Sequence, residues 1–393
     1  MKPDFDKIIN RKDSKSVKWD PEVLREIFGK EDLLPLWVAD MDFEAPKEVV
    51  EAMKLEVAHS IFGYSKRRES YYENIIRWYE KRFNWTIERE WLVFTPGVVS
   101  AVNYVLQAFV DQGQGVIIQE PVYYPFKRAI KNNDCRVVNN PLKFHGGAYE
   151  IDFQDFEKKA ADPDTKLFIL CSPHNPVGRV WKREDLKRLG DICLENDVLI
   201  FSDEIHHDLV YEKGAHHVLA NIDPRFADHV ITATAPSKTF NLAGLLSAHL
   251  IIKNDGLKRR YKRILEKNHI GKQTPVSMAA VEAAYGKGEP WLEELLDYLR
   301  GNMDLIDALI KAHLPRARFI RPQATYLAWI DLRDYGLSGK ALEEKITKEA
   351  KVALDGGTWF GSGGDGFLRI NFACPRKTLE EALVRIINVL KEA

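Results

Sequence analysis

Four positions in the chain carry residue types whose chemistry depends on where an apolar run stops. Lys238 lies in Thr234-Ala235-Pro236-Ser237-Lys238-Thr239-Phe240-Asn241-Leu242-Ala243-Gly244-Leu245, among small and turn-prone neighbours that let backbone approach a bound molecule. A lysine amine in such a place either holds an anion as a point charge or adds to a carbonyl to form a Schiff base. Taken alone, a lysine is more commonly a solvated surface residue. Asp203 follows Val198-Leu199-Ile200-Phe201 within Ser202-Asp203-Glu204-Ile205-His206. Pro96-Gly97-Val98-Val99-Ser100 separates Trp91-Leu92-Val93-Phe94-Thr95 from Val98, Val102, Val105, Leu106 and Phe109 at helical spacing. A strand, a glycine turn and a helix start expose N–H groups and the positive end of a helix dipole to an anion, an arrangement many α/β proteins share. Arg369 interrupts the apolar Phe367-Leu368-Arg369-Ile370-Asn371-Phe372. It is either structurally paired there or clamps a carboxylate with its donor fork.

The runs that position these residues read as buried strands. Val230-Ile231-Thr232-Ala233-Thr234 is bounded by Pro236, which predicts a strand ending at Ala235 with Lys238 on the loop beyond. Val116-Ile117-Ile118 ends at Gln119-Glu120-Pro121-Val122-Tyr123-Tyr124-Pro125. Leu167-Phe168-Ile169-Leu170 ends at Cys171-Ser172-Pro173-His174-Asn175-Pro176-Val177-Gly178. Continuous rather than alternating apolar strands indicate a mostly parallel sheet with helices on both faces. In such sheets ligands bind beyond the carboxyl ends of the strands, where all these polar clusters fall. Upstream, residues 1 to about 35 read as a polar arm laid over another part of the structure or over a partner subunit. In Leu33 to Phe43, Asp42 either caps a helix over Pro46–Ala58 or belongs to a pocket wall. Helices are predicted over Tyr71–Arg82 and beyond Pro290, where Trp291, Leu295, Leu299, Met303, Ile306 and Ile310 step by three or four.

Composition narrows the partners. The 393 residues are 45% hydrophobic and 29% charged, ordinary for a globular protein. With 57 Lys+Arg against 58 Asp+Glu and a net charge of −1, nothing global argues for nucleic acid or a membrane surface. Cys135, Cys171, Cys193 and Cys374 have no metal-type spacing and read as reduced residues of a cytoplasmic protein, with no metal site expected. The charged N-terminus lacks the apolar core of a signal peptide, and no apolar run approaches the roughly 18 residues of a membrane span.

Together, Lys238, the anion pocket at Gly97, Val98 and Val99, the aromatic Tyr123 and the acid Asp203 sit on one rim of one sheet. Pyridoxal phosphate needs that set: an amine for its aldehyde, N–H groups for its phosphate, a flat face for its ring and a carboxylate for its pyridine nitrogen.

The same residues carry a resemblance. Trp37-Val38-Ala39-Asp40-Met41-Asp42-Phe43, Pro121-Val122-Tyr123-Tyr124-Pro125-Phe126 and Ser172-Pro173-His174-Asn175-Pro176-Val177-Gly178-Arg179-Val180-Trp181 appear in order. They are followed by Ser202-Asp203-Glu204-Ile205-His206, Ser237-Lys238-Thr239-Phe240-Asn241-Leu242-Ala243-Gly244-Leu245 and Arg369-Ile370-Asn371. Over nearly its whole length the chain resembles the aspartate-aminotransferase-like (fold type I) superfamily of pyridoxal-phosphate enzymes, and within it the cystathionine β-lyase or C–S lyase branch. The resemblance implies an α/β fold, with a large domain built on a mostly parallel seven-stranded sheet and helices on both faces. A smaller α+β domain comes from the N- and C-terminal segments. The implied division is an arm and part of the small domain in 1–50, the cofactor-binding domain in 51–290 and the C-terminal small domain in 291–393.

Roles follow from the same resemblance. Lys238 holds the cofactor and moves the Cα proton, Asp203 pairs with the pyridine nitrogen, Asn175 bonds the ring hydroxyl and Tyr123 stacks on the ring. Gly97, Val98, Val99 and Ser237 face the phosphate, and Tyr64 reaches the phosphate of a neighbouring subunit in a homodimer with shared sites. Arg369, with Asp40 and Tyr123, meets the amino-acid substrate. Two positions depart from the wider aminotransferase pattern: His206 stands where many have a tyrosine, and Leu246 where many have an arginine. Two chemistries stay open, α,β-elimination of S-substituted cysteines to pyruvate, ammonia and a thiol, as in methionine biosynthesis, and transamination. A regulatory role through a partner protein is a third, from a different class.

Overall fold

Seven short runs pair into one sheet in the computed structural model, which describes residues 2–391. In chain order the strands are Leu92–Thr95 (β1), Gly115–Ile118 (β2), Arg136–Asn139 (β3), Thr165–Cys171 (β4), Leu199–Asp203 (β5), Val230–Thr234 (β6) and Ala248–Ile251 (β7). Their spatial order is β1-β7-β6-β5-β4-β2-β3, with β7 antiparallel to both neighbours and every other pairing parallel. β2, β5, β6 and β7 are buried along their full length, as continuous apolar runs require.

Successive side chains of a strand point to opposite faces, and here they feed two separate cores. Val116, Ile118, Leu167, Ile169, Phe201 and Ile231 pack beneath the helices Val98–Phe109, Pro125–Asn132 and Asp255–Lys267. Ile117, Phe168, Leu170, Ile200 and Val230 pack on the other face with the helices Glu69–Phe83, Phe153–Ala160, Arg183–Glu195 and Pro275–Lys287.

The second core continues into a four-stranded antiparallel sheet of Arg318–Ile320 (β8), Leu327–Asp331 (β9), Asp355–Gly356 (β10) and Phe367–Asn371 (β11), ordered β8-β9-β11-β10. The predicted long helix runs from Glu289 to His313 and buries Trp291, Leu295, Leu299, Met303, Ile306 and Ile310, the residues of its apolar stripe. Residues Leu34–Pro35 pair in parallel with Val352–Ala353, so an N-terminal segment is joined to the C-terminal part of the chain.

The N-terminal segment lies on its own chain. Phe5 packs against Phe43, Trp291 and Tyr298, and the segment includes a helix, Pro21–Phe28, capped by Asp20. Asp42 caps nothing: the next helix, Lys47–Ala58, starts at Pro46 without a side-chain cap. The Asp42 carboxylate instead accepts from Lys18 Nζ at 2.7 Å, Arg11 Nη1 at 2.6 Å and Trp19 Nε1 at 2.8 Å. A buried ammonium and a guanidinium outcompete uncapped N–H groups for a carboxylate.

Candidate active site

Lys238 is not on a loop. Pro236, with its pre-set φ, opens a one-turn helix, Pro236–Thr239, directly beyond β6. That turn is pinned from behind, where Thr239 Oγ1 donates to the buried Asp208 carboxylate at 2.9 Å. The half-buried amine of Lys238 donates to the backbone carbonyl of Ala39 at 2.6 Å, and Tyr326 Oη donates to the same oxygen at 2.8 Å. Burial pulls the amine down to about 8; the carboxylates of Asp40 and Asp203 oppose this and Arg369 adds to it.

Asp203 ends β5. Among the described residues its carboxylate accepts one side-chain hydrogen bond, from Ile205 N–H at 3.1 Å. Burial raises it to about 7, against that hydrogen bond and the charge of Lys238. His206 is buried and kept neutral, first by burial and then by the cations of Lys238 and Arg369. Its ring meets Tyr326 edge-on at 6.2 Å, and its Nδ1 has no partner among the described residues.

Arg369 is the centre of β11. Its guanidinium donates from Nη1 to Asn175 Oδ1 at 3.0 Å, from Nη2 to Trp37 O at 2.9 Å, and from Nη2 to Asp355. It also lies over the Phe360 ring, 4.9 Å from its centroid. Of the two sequence readings, the structure shows the structural pair, with Asp355; Nε has no partner among the described residues. Tyr123 is half-buried at the start of the helix Pro125–Asn132, near enough to Arg369 and Asp203 for both charges to act on its hydroxyl, which burial raises.

Gly97 precedes the helix Val98–Phe109, whose first backbone bond is Ala101 N–H to Gly97 O; no side chain caps that end. The N–H groups of Val98 and Val99 are thus left open at the carboxyl end of β1. Ser237 sits beside Lys238 in the short helix. Leu246, where an arginine was missed, is in the left-handed region at φ 46° and 66% exposed.

Asp40 gives its carboxylate to Arg11, which holds it from both Nη atoms at 3.2 and 2.8 Å, while its charge still reaches the Lys238 amine. One expected residue lies apart from this cluster. Tyr64 is 96% exposed, with the Lys272 ammonium 4.3 Å from its ring centroid. A groove of about 1470 Å³ is also elsewhere: Glu48, Leu55, Arg67, Met278 and Trp291 line it, and none of the cluster residues does.

Three participants escaped the sequence reading. The Ala39 carbonyl is invisible by type. Tyr326 looked like any apolar strand residue. Asp355 carried a signal, an acid closing the apolar run Val352-Ala353-Leu354, but its partner lies on another strand.

With this geometry in view, comparison with known proteins is informative. The description of the aminotransferase class I and II family matches residues 31–386. Cystathionine beta-lyase PatB of Bacillus subtilis is 44% identical over 383 residues, 97% of this chain and 98% of its own length. The crystal structure of cystalysin from Treponema denticola, which contains pyridoxal 5′-phosphate, matches with a TM-score of 0.96 at 37% identity and covers 100% of both chains. The PLP-bound C–S lyase from Staphylococcus hominis matches with a TM-score of 0.92 at 36% identity, covering 99% of this chain and 98% of that one. A match of this extent shows that the chain belongs to the aminotransferase class I and II family.

Proposed function

We propose that this protein is a pyridoxal-phosphate-dependent C–S lyase of the cystathionine β-lyase type, converting S-substituted cysteines to pyruvate, ammonia and a thiol by α,β-elimination. The observation that carries the reading is full-length similarity to cystathionine beta-lyase PatB together with a strand-end cluster in which the charges of Lys238 and Asp203 act on each other. The cluster fits the cofactor. A buried carboxylate with one hydrogen bond wants a cation beside it, His206 Nδ1 is orphaned, and the N–H groups of Val98 and Val99 are open to a phosphate. When bound, pyridoxal phosphate supplies an aldehyde for an amine and a conjugated ring that withdraws electrons from the neighbouring carbon.

The residues divide the remaining tasks. Asp203 keeps a proton on a ring nitrogen, because in its buried site the charged carboxylate is stabilised chiefly by a cation. Asn175 spends its Oδ1 on Arg369, which leaves its amide hydrogens for a ring hydroxyl. Tyr123 offers its face to the ring, and Gly97, Val98, Val99 and Ser237 surround the phosphate. Arg369 binds the substrate α-carboxylate. Lys238 Nζ, held near 8, is a base of suitable strength to take the Cα proton and return it elsewhere. The carbonyl of Ala39 steers that amine when it is free.

The surface supports a reading of the assembly. Leu55, Val57, Ile61, Phe62 and Tyr64, all within ten residues of chain, are exposed, and Leu55 lines the groove described above. A second copy covering them makes a homodimer and brings Tyr64 to the partner's site; sedimentation of Phe62→Asp protein should then show a shift toward monomer. No helix among the described residues is long and apolar enough to cross a membrane, in keeping with a cytoplasmic enzyme.

The test is a product assay on purified holoenzyme with cystathionine. Pyruvate, ammonia and free thiol formed without any added keto acid support elimination. A strict requirement for a keto-acid acceptor would replace it with transamination.

A further inference from the structure

Asp355 and Arg369 face each other across β10 and β11 as register partners. Asp355 is buried, its Oδ2 accepts from Arg369 Nη2, and its Oδ1 has no partner among the described residues. A short side chain on a paired strand cannot swing far from its cross-strand neighbour. The arginine therefore meets any ligand with this carboxylate already in place.

The guanidinium's own geometry makes the conflict specific. A carboxylate can be gripped in two-pronged fashion along the Nη1/Nη2 edge or along the Nε/Nη2 edge. Both edges use Nη2, and the two hydrogens of Nη2 are committed to Trp37 O and to Asp355. The Trp37 carbonyl is the harder to displace, because the adjoining Leu36 is fixed by Leu36 N–H to Ala353 O and Asn371 N–H to Leu36 O. A substrate carboxylate must thus share Nη2 with Asp355, placing two acids on one buried cation. Like charges so placed cannot both stay ionised.

We propose that Asp355 is the second carboxylate of the substrate pocket, and that an amino-acid substrate binds Arg369 together with one proton taken from solvent onto Asp355. This rests on the reading of Arg369 as the α-carboxylate anchor. The unpartnered Oδ1 is where the proton goes, and the substrate carboxylate supplies the acceptor that a neutral acid needs. Around Asp355, Arg369 faces it from β11 and Glu343 from the helix Gly339–Lys345, where Glu343 accepts from Thr358 Oγ1 and Trp359 Nε1. Tyr123 and Tyr124 approach from the start of the helix Pro125–Asn132, and Lys238 and His206 feel the charge of Arg369. Burial, with Glu343 adding to it and Arg369 opposing, already raises the Asp355 carboxyl to about 6, so a further negative charge carries it toward neutral pH.

The experiment uses holoenzyme and 3-(methylthio)propionate, a carboxylate without the reacting amine. Calorimetric titration in two buffers of different ionisation heat counts the protons taken up. Wild type should take up a proton in substantial fraction at pH 7, and its Kd should rise by up to about tenfold per pH unit above that, the limit for one coupled proton. Asp355→Asn should bind with most of that uptake abolished and a flatter Kd. Equal uptake in Asp355→Asn and wild type would overturn the proposal while leaving the anchor in place. Unchanged binding by Arg369→Lys would instead remove the anchor reading. Difference infrared spectra of wild type need no variant: a protonated-carboxyl band should appear on adding 3-(methylthio)propionate at pH 7, and no such band would also overturn the proposal.

Discussion

Asp42→Asn should destabilise the fold more than any surface charge change, because it strands an ammonium in the interior. Lys18 is 0% exposed, and its Nζ is 2.7 Å from Asp42 Oδ2, with Asp40 Oδ1 farther at 3.7 Å. Removing one partner of a buried ion pair costs roughly 3–5 kcal/mol, mostly from the charge left behind. Asp40 compensates in part, so the lower end, about 3 kcal/mol, is expected. Urea unfolding followed by tryptophan fluorescence, at fixed protein concentration because assembly shifts apparent stability, measures the difference. A loss below about 1 kcal/mol would refute the reasoning, since it would mean the pair behaves as a surface one. The pH dependence has a definite sign. Burial works to raise the Asp42 carboxyl, but the Lys18 charge and hydrogen bond, with Trp19 and Arg11, hold it below its ordinary value. A depressed acid contributes stability that is present above its unfolded pKa of about 3.9 and lost as pH falls through the folded value. The gap between wild type and variant should therefore be full at pH 6 and shrink below about pH 4.

Other outcomes follow from the same contacts. Lys238→Ala, reconstituted with cofactor, should lose at least about 10²-fold in pyruvate release from cystathionine, the scale of a positioned proton-transfer group. Asp208→Asn should cost about 3 kcal/mol and also lower kcat, because Asp208 takes Trp78 Nε1 at 3.0 Å, Arg82 Nε at 3.1 Å and the Thr239 hydroxyl next to Lys238; unfolding curves and turnover on the same samples check both. Gly178→Ala should lose at least about 2 kcal/mol by the unfolding assay. Gly178 has φ +67°, and an added Cβ would stand 2.4 Å from Pro322 Cβ.

Much of the large sheet was legible because burial on both faces is a local demand. A strand covered by helices on either side has few polar positions to spare, so β2, β4, β5 and β6 announce themselves as largely apolar runs that stop close to where the sheet stops. The positions of Asp203, Asn175 and Tyr123 just at or beyond those stops were readable for the same reason. β3 was not, since Arg136 and Asn139 at its ends give an edge strand a partly exposed pattern.

The chain's local order thus determined which residue types stand at the rim of the sheet, including the amine and the acid. The tertiary structure decided what each one touches. Asp42 has the sequence position of a helix cap, yet Lys18, 24 residues away, claims it. Lys238 finds its hydrogen-bond acceptor 199 residues upstream, at Ala39 O. Arg369 is matched to Asp355 by the register of two strands that only folding brings together. Burial pattern is a property of a short segment, whereas the partner of a buried charge is chosen by whichever opposite charge the packed chain delivers, and no spacing in the sequence encodes that distance.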